Sequence, residues 1–181
     1  MPSQVVLADK VLSESECTAV INAPIEQVDI AEWLLNLPEA EYQRCAPPDH
    51  IAAGYTTTDD GRPMSINVEQ IGSGLMIQHY VGEVTDKHLC RMVSLSDVFT
   101  PQGRSTVEVT WTLSVTPIDP HSCEYRNSVR ALATSEFMEF IATQGISFEQ
   151  AAAARQTASG DHNRRETPLF AKSIERKALT N

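Results

Sequence analysis

His79 and Arg91 have side chains that could bind or act on a small molecule. His79 has apolar residues two and four positions before it, so the alternation predicts that it lies on the inward face of a strand. An imidazole there could transfer a proton, or it could be an ordinary core residue with satisfied hydrogen bonds. Arg91 shares the predicted inward face of the next strand. Its permanent charge could bind a ligand carboxylate or carbonyl, pair with Asp97 or Glu83, or extend to water.

The segment from Ser105 to Val115 has the most regular alternation of apolar and polar residues in the sequence. Trp111 lies in the middle of its apolar face, which predicts an inward position in a long antiparallel strand. The strand that follows places Tyr125 and Asn127 on the same side. A buried amide needs hydrogen-bond partners, so Asn127 either bonds to backbone or water at a sheet irregularity or is held for a ligand.

Arg155 and His162 belong to a stripe of mostly small residues on a predicted helix that begins after Ser147. Gln150, three residues after Ser147, completes the pattern of a capping box. The stripe is expected to face the sheet. Arg155 and His162 then lie at the rim of the space between helix and sheet, where they either pack their stems or contact a ligand.

Seven predicted strands would position these residues. They cover residues 16–23, 50–58, 63–71, 75–85, 89–99, 105–115 and 123–133. The last six are joined by connections of a few residues, which favours an antiparallel meander. An amphipathic helix at 25–37, which Pro38 either kinks or follows with a second short helix through Cys45, separates the first two strands.

The C-terminal quarter changes to a helical period. We predict a helix at 135–144 and a second one from Ser147, with a kink or break near 166–168 because proline is unfavourable inside a helix. The predicted organisation is an N-terminal arm at 1–14, one domain at 15–165 and a helical extension at 166–181. The fold class is α+β.

The charge of the chain argues against two classes of partner. The formal net charge is −10, and residues 135–181 contain equal numbers of acidic and basic side chains, so the acidic excess lies in 1–134. Without a basic stripe, neither nucleic acid nor an anionic membrane surface is expected to bind. No apolar run approaches the ~20 residues of a membrane span, and residues 1–10 do not resemble a secretory signal. We therefore expect a cytoplasmic protein without membrane insertion.

The absence of several short sequence motifs excludes several enzyme classes. The four cysteines are far apart and no histidine lies near them at ligand spacing, so neither a metal site nor a disulfide framework is expected. The sequence also lacks the nucleophile elbow, the phosphate-binding glycine loop and the dinucleotide fingerprint. Common hydrolases, NTP-using enzymes and Rossmann oxidoreductases are thereby excluded, and no cofactor is expected. Cofactor-independent chemistry stays open.

The order of strand, short helices, six strands and long C-terminal helix resembles the helix-grip fold of the START-like (SRPBCC) superfamily. This superfamily includes birch-pollen-allergen-type proteins, polyketide cyclases and aromatases, and lipid-transfer domains. The resemblance covers about residues 15–165 and includes the start Val20-Ile21-Asn22-Ala23-Pro24-Ile25 with its following helix. The closing stretch, 162–175, is similar to that of a bacterial group within the superfamily.

This resemblance implies a seven-stranded curved sheet that wraps the long C-terminal helix and encloses a cavity. A helix stripe made mostly of alanine would also leave unfilled volume beneath it, and a mostly apolar concave space is a natural ligand pocket. We predict binding of a small hydrophobic or aromatic metabolite there. The predicted ligand-binding residues are His79, Arg91, Trp111, Tyr125, Asn127, Arg155 and His162.

Two alternatives stay open. The first is an enzyme of cyclase, aromatase or dehydratase type that acts in the same cavity without a cofactor, with His79 and Arg91 or Asn127 handling the proton and the developing oxyanion. The second is a protein-interaction module that uses the acidic sheet surface and residues 166–181. The sequence does not identify the ligand or the oligomeric state.

Overall fold

The computed structural model describes residues 4–180. Within this range the chain forms seven strands and four α-helices, with a single 3-10 turn at Ile25–Gln27. The strands are β1 (Val6–Ile21), β2 (His50–Thr57), β3 (Pro63–Ile71), β4 (Gly74–Asp86), β5 (Leu89–Thr100), β6 (Gly103–Asp119) and β7 (Ser122–Thr134). The helices are α1 (Ile30–Leu35), α2 (Glu39–Cys45), α3 (Ser135–Thr143) and α4 (Phe148–Ala178).

The strands of residues 4–180 make one antiparallel sheet in the order β1-β7-β6-β5-β4-β3-β2. Strands β2 to β7 are consecutive neighbours, because their short connections leave little room for another topology. β1 closes the series by pairing with β7. The predicted fold class is confirmed: the protein is an α+β helix-grip with a curved sheet, short helices between β1 and β2, and a long C-terminal helix.

Strand β1 begins well before the predicted first strand. It pairs with β7 from Val6, opposite Thr134, and contains the buried Leu12 and Ser13. Gln156 of α4 also exchanges hydrogen bonds of 2.9 and 3.0 Å with the backbone of Glu14. Residues 6–14 are therefore part of the sheet rather than a loosely attached arm.

Helix α4 is continuous over 31 residues. Its N-terminus has the predicted capping box of Ser147 and Gln150. The predicted break near 166–168 is wrong: Pro168 lies inside the helix, on its exposed side, where water can solvate the carbonyl that loses its hydrogen bond. Residues 166–178 thus continue the same helix. Along them, Phe170, Ala171, Ile174 and Ala178 are buried in the core.

The inward register of β6 and β7 agrees with the prediction. Trp111 is 4% exposed and faces the helix, and Tyr125 and Asn127 lie on the same side of the sheet. On β4 and β5 the predicted inward register is wrong, because Tyr80 and Met92 are buried whereas His79 and Arg91 are exposed on the outer face. The inner faces of β3 to β5 are largely polar, with Ser65, Asn67, Glu69, Gln78, Ser94 and Ser96 all buried.

Among the helices of residues 4–180, none combines the length and the apolarity that a membrane span requires.

Candidate functional site

A small cavity of about 30 Å³ lies between the polar inner faces of β3 and β4, helix α2 and the middle of α4. Part of its wall is aromatic and is formed by Tyr42, Tyr80, Trp111 and Phe170. The rest is largely polar and includes His50, Asn67, Glu69, Gln78, Arg155, Ser159, His162, Asn163 and Glu166. Buried polar and ionised groups are unfavourable for folding unless they are paired, so their concentration here marks the cavity as a candidate site.

Four of these residues form the His–Glu cluster: His50, Glu69, His162 and Glu166. His50 Nε2 lies 3.5 Å from Glu69 Oε2 and 3.2 Å from Glu166 Oε2. His162 Nε2 lies 3.2 Å and 3.3 Å from the same two oxygens. All four side chains are buried, so two imidazoles and two carboxylates meet out of contact with bulk water.

Local structure brings the first half of the cluster together. His50 begins β2 and is the direct cross-strand partner of Glu69 on β3. The ring of His50 stacks on that of Tyr42, with centroids 3.8 Å apart, and its Nδ1 lies 2.7 Å from the carbonyl oxygen of Tyr42. The Tyr42 hydroxyl donates to Glu69 Oε2 at 3.4 Å. Helix α2 therefore orients both side chains.

Helix α4 supplies the second half. His162 and Glu166 are four residues apart, which places them on one face of the helix. His162 Nδ1 lies 2.8 Å from Asp49 Oδ2, and Arg165 pairs with the same carboxylate. Asp49 directly precedes β2, so this hydrogen bond ties the helix to the strand that carries His50.

Charges dominate the protonation of the cluster. Burial disfavours the imidazolium of His162, but the carboxylates of Glu166 and Glu69 outweigh it and raise the pKa of His162 to about 11. Burial likewise disfavours the Glu166 carboxylate, yet His162 and then His50 lower the pKa of Glu166 to about 2. Partial burial of Asp49 is outweighed by its hydrogen bonds from His162 and Arg165, which lower the pKa of Asp49. Glu166 and Asp49 are therefore ionised at neutral pH.

Asn127 supports the cluster from behind. Its Oδ1 accepts a hydrogen bond of 2.8 Å from Trp111 Nε1, and its Nδ2 donates to Glu166 Oε1 at 3.0 Å and to Thr167 Oγ1 at 3.2 Å. The amide thereby connects the sheet with α4 and fixes the orientation of the Glu166 carboxylate.

Arg155, in the first third of α4, also lines the cavity. Its Nε is buried and forms no hydrogen bond with any residue from 4 to 180, and a terminal nitrogen contacts Met76 Sδ. Within the same range it forms no ion pair. Burial lowers the pKa of Arg155 from its usual value, but a guanidinium keeps its charge in a protein.

Solved structures of similar architecture share little sequence with this chain. The Zhui aromatase/cyclase from Streptomyces sp. R1128 matches with a TM-score of 0.61 at 11% identity, covering 92% of this chain and 93% of its own. A START superfamily protein from Mycobacterium smegmatis matches with a TM-score of 0.51 at 14% identity, covering 92% of this chain and 97% of its own. The chain has the START-like helix-grip fold.

Norcoclaurine synthase from Thalictrum flavum, in complex with dopamine and hydroxybenzaldehyde, is a further structure with this START-like fold. It matches with a TM-score of 0.50 at 14% identity, covering 99% of this chain and 90% of its own. No family model and no curated protein matches the sequence. At such identities the likeness establishes the fold alone.

The START-like sheet places the sequence-predicted residues in three different environments. Trp111, Arg155 and His162 line the cavity, and Asn127 lies directly behind it. Tyr125 is fully buried in the core. His79 and Arg91 lie on the outer face of the sheet, where Arg91 pairs with Glu83 at 2.7 Å. These two residues cannot reach the cavity, because neighbouring residues of a strand point to opposite faces.

The sequence prediction does not include His50, Glu69 or Glu166. The four-residue spacing of His162 and Glu166 is an available signal, but the helix break predicted near 166–168 hides it. The cross-strand pairing of His50 with Glu69 follows from the register of the β2–β3 hairpin, which strand patterns alone do not determine.

The cluster can do two kinds of chemistry. Its imidazole and carboxylate groups could exchange protons with a molecule in the cavity. Its nitrogen and oxygen atoms could also hold a metal ion, since His50, Glu69 and His162 each offer a ligand atom within 4.8 Å of the others. The prediction of no metal site is based on the spacing of residues along the chain. It does not detect this group, because its three residues come from three separate elements.

Proposed function

We propose that the protein binds a small aromatic or hydrophobic metabolite that carries an acidic oxygen group, in the cavity between the sheet and α4. The observation that supports this most is the combination of an aromatic wall with Arg155. A half-buried arginine whose Nε is buried, and which has no ion-pair partner among residues 4–180, is a favourable site for a ligand carboxylate or phenolate. Trp111 and Phe170 offer the apolar surface that would bury a ring.

The size of the cavity constrains how a ligand binds. A volume of about 30 Å³ has room for on the order of two water molecules, whereas pockets for drug-sized ligands occupy about 300–1,000 Å³. A ring-sized ligand therefore requires α4 or the β3–β4 hairpin to move outward. The small residues on the inner face of the first half of α4, such as Ala151, Ala152 and Ala158, make this the segment that can be displaced with the least loss of packing.

Proteins of the same fold support the ligand class in general terms. One is an aromatase/cyclase and another was solved with dopamine and hydroxybenzaldehyde, so the START-like fold accommodates aromatic compounds. The specificity proposed here depends on Arg155 rather than on that likeness.

Native mass spectrometry of the freshly purified protein, followed by calorimetric titration with pairs of aromatic acids and their neutral amides, tests the proposal. We expect the acid of a pair to bind more tightly and Arg155→Gln to weaken its binding about 10–100-fold, because a charged hydrogen bond is lost. Arg164→Gln, an exposed arginine of the same helix, should leave affinity unchanged. Equal affinity for acid and amide, or an unaffected Arg155→Gln variant, would contradict the role of Arg155.

A second candidate is a cyclase-, aromatase- or dehydratase-type enzyme acting on the same ligand. The observation that favours it is the position of the His–Glu cluster, which puts buried acid and base groups on the cavity wall. In this case the proton-handling role predicted for His79 belongs to His162 and Glu166. Glu166→Gln should then lower turnover about 10²–10⁴-fold while His79→Ala leaves it unchanged. If the wild type binds the ligand but does not convert it, only the ligand-binding function is supported.

A further inference from the structure

Hydrogen bonds on the outer side of the His–Glu cluster fix which nitrogen of each imidazole points inward. His50 Nδ1 lies 2.7 Å from a backbone carbonyl, which can only accept, so Nδ1 carries the proton. His162 Nδ1 lies 2.8 Å from the ionised carboxylate of Asp49, which again only accepts. Both rings therefore direct Nε2 toward Glu69 and Glu166. Once Nε2 has lost its proton, an imidazole held in this way presents a lone pair to a metal ion.

The distances inside the cluster match the edges of a metal coordination polyhedron. The four nitrogen–oxygen distances lie between 3.2 and 3.5 Å. Ligands at about 2.0–2.1 Å from a tetrahedral metal ion are separated from each other by about 3.3–3.4 Å. The nitrogen–oxygen distances of the cluster are thus those expected between ligands of one ion.

His50 Nε2 provides an independent observation. The nitrogen is buried and forms no hydrogen bond with any residue that the structure describes, although two carboxylate oxygens are within 3.5 Å. Neither contact is aligned as a hydrogen bond, so Nε2 is available to coordinate a cation between the ligands.

Each of the four residues has a hydrogen-bond partner outside the cluster. His50 is held by the Tyr42 carbonyl, His162 by Asp49, Glu69 by the Tyr42 hydroxyl and Glu166 by Asn127. Metal ligands in proteins are oriented by partners of this kind, usually a carboxylate or a carbonyl on the distal nitrogen of histidine. The cluster has the complete set.

The ligand types in the cluster also suit a divalent cation. Mixed imidazole and carboxylate ligands select first-row transition metals over Mg²⁺ and Ca²⁺, which prefer oxygen ligands only.

We propose that the His–Glu cluster binds one divalent first-row transition-metal ion, Zn²⁺ or Fe²⁺, through His50, Glu69 and His162, with the Glu166 carboxylate beside both imidazoles. The ion would lie in the wall of the cavity, where it could polarise or coordinate an oxygen atom of a bound molecule. The site goes beyond the proposed ligand binding, because its geometry does not depend on Arg155 or on any organic ligand.

Titration of chelator-treated protein with Co²⁺ and then Zn²⁺, with no organic ligand present, tests the site. We expect one Co²⁺ per chain, the visible absorption of a cobalt ion bound by nitrogen and oxygen ligands, and its loss when Zn²⁺ displaces it. Zn²⁺ should also raise the melting temperature, since it binds the folded state. Substoichiometric binding, or binding without the cobalt absorption, would overturn the proposal whatever the variants do.

Variants assign the ligands. Asp49→Asn should weaken Zn²⁺ binding about 10–100-fold by disturbing the orientation of His162, and His50→Ala and Glu69→Gln should weaken it further. The matched controls are His79→Ala and Glu83→Gln, an exposed histidine and an exposed glutamate on β4, which should bind like the wild type. Circular dichroism shows whether each variant is folded.

Folded His50→Ala and Glu69→Gln variants with wild-type affinity would place the ion elsewhere and refute the assignment. If His50→Ala fails to fold, the Zn²⁺ affinity of Asp49→Asn and the cobalt spectrum of the wild type still test whether the cluster binds the ion. Because the metal is titrated without an organic ligand, and the comparison of acids with amides depends on Arg155 rather than on the cluster, either proposal can fail alone.

Discussion

At the scale of single residues, Asn127 joins the sheet, the aromatic wall and the His–Glu cluster. Its amide satisfies the indole nitrogen of Trp111 and one oxygen of Glu166, and both are buried. A buried donor or acceptor without a partner costs about 1–3 kcal/mol, and more when it is charged. The hydrogen bonds made by the oxygen and the nitrogen of this amide therefore contribute more to stability than the packing of so small a side chain.

Asn127→Ala should therefore lower the free energy of unfolding by about 2–5 kcal/mol, because it leaves Trp111 Nε1 and Glu166 Oε1 without partners. Urea denaturation followed by far-UV circular dichroism measures the change. Gln102→Ala, which removes an exposed amide from the turn between β5 and β6, should change stability by no more than about 0.5 kcal/mol. A loss below 1 kcal/mol at Asn127 would mean that water replaces the amide.

Trp111 should be a core residue in energetic terms although it borders the cavity. It is 4% exposed and packs against Tyr80 and Phe170, with ring centroids 5.3 and 5.9 Å away. Trp111→Ala should reduce the free energy of unfolding by about 3–5 kcal/mol in the same urea assay. Tyr55→Ala, which removes a mostly exposed ring, is the control. A loss under 1 kcal/mol at Trp111 would show that the wall is wet and yields without strain.

The sequence predicted these two residues better than the rest of the site, for a physical reason. Along β6, large apolar residues recur on one face and threonine or glutamate on the other, so only one orientation buries the apolar side. Asn127 then follows from the register of β7. His50 and Glu69, in contrast, are recognisable as site residues only once they are known to be neighbours. No pattern along the chain predicts that they are.

At the scale of elements, strands β3 to β5 show why a clear alternation can still mislead. Leu75, Ile77 and Val81 mark one face of β4, yet the structure turns that face outward and buries Gln78 and Tyr80 instead. A period of two separates the faces of a strand without saying which one is inside. The usual assumption that the apolar face is inside fails here because the interior is a polar cavity.

Pro168 makes a prediction about α4 as an element. The proline removes one backbone hydrogen bond from a helix whose flanking residues are buried on both sides of it, so tertiary packing maintains the helix against its propensity. Pro168→Ala should raise the free energy of unfolding by about 1–3 kcal/mol, measured by urea denaturation. Lys172→Ala, an exposed change one turn later, should alter it by less than about 0.5 kcal/mol. Destabilisation by Pro168→Ala would instead show that the site needs a bend at this turn.

At the scale of the whole molecule, the topology was predictable because it is mostly local. Short turns between consecutive strands leave few ways to arrange β2 to β7, and a terminal helix must cover the inner face of the sheet. The candidate site is not local. It combines the α2–β2 connection, β3 and the middle of α4, which are up to 116 residues apart in the Asp49–Arg165 pair.

The final turns of α4 decide whether residues 166–181 belong to the fold or serve a partner. Phe170 is 1% exposed and packs on Trp33 and Trp111, while Ser173 accepts a hydrogen bond of 3.0 Å from Trp33 Nε1. Burying a phenylalanine of this kind is worth about 3–5 kcal/mol, against a total stability of about 5–15 kcal/mol for a domain. These turns are therefore expected to be essential to the fold.

Truncation after Pro168 should abolish cooperative thermal unfolding, because it removes Phe170 and the other buried residues of the last turns from the core. Differential scanning calorimetry measures this, and truncation after Ala178, which removes the exposed Leu179, is the matched control and should melt like the full chain. The interaction-module alternative makes the opposite prediction, since a tail used only for a partner could be deleted with little change in melting temperature. If the protein truncated after Pro168 still unfolds cooperatively within a few degrees of the wild type, the interaction-module alternative is restored. If the cooperative transition is lost, the last turns of α4 are the segment that closes the core next to the His–Glu cluster.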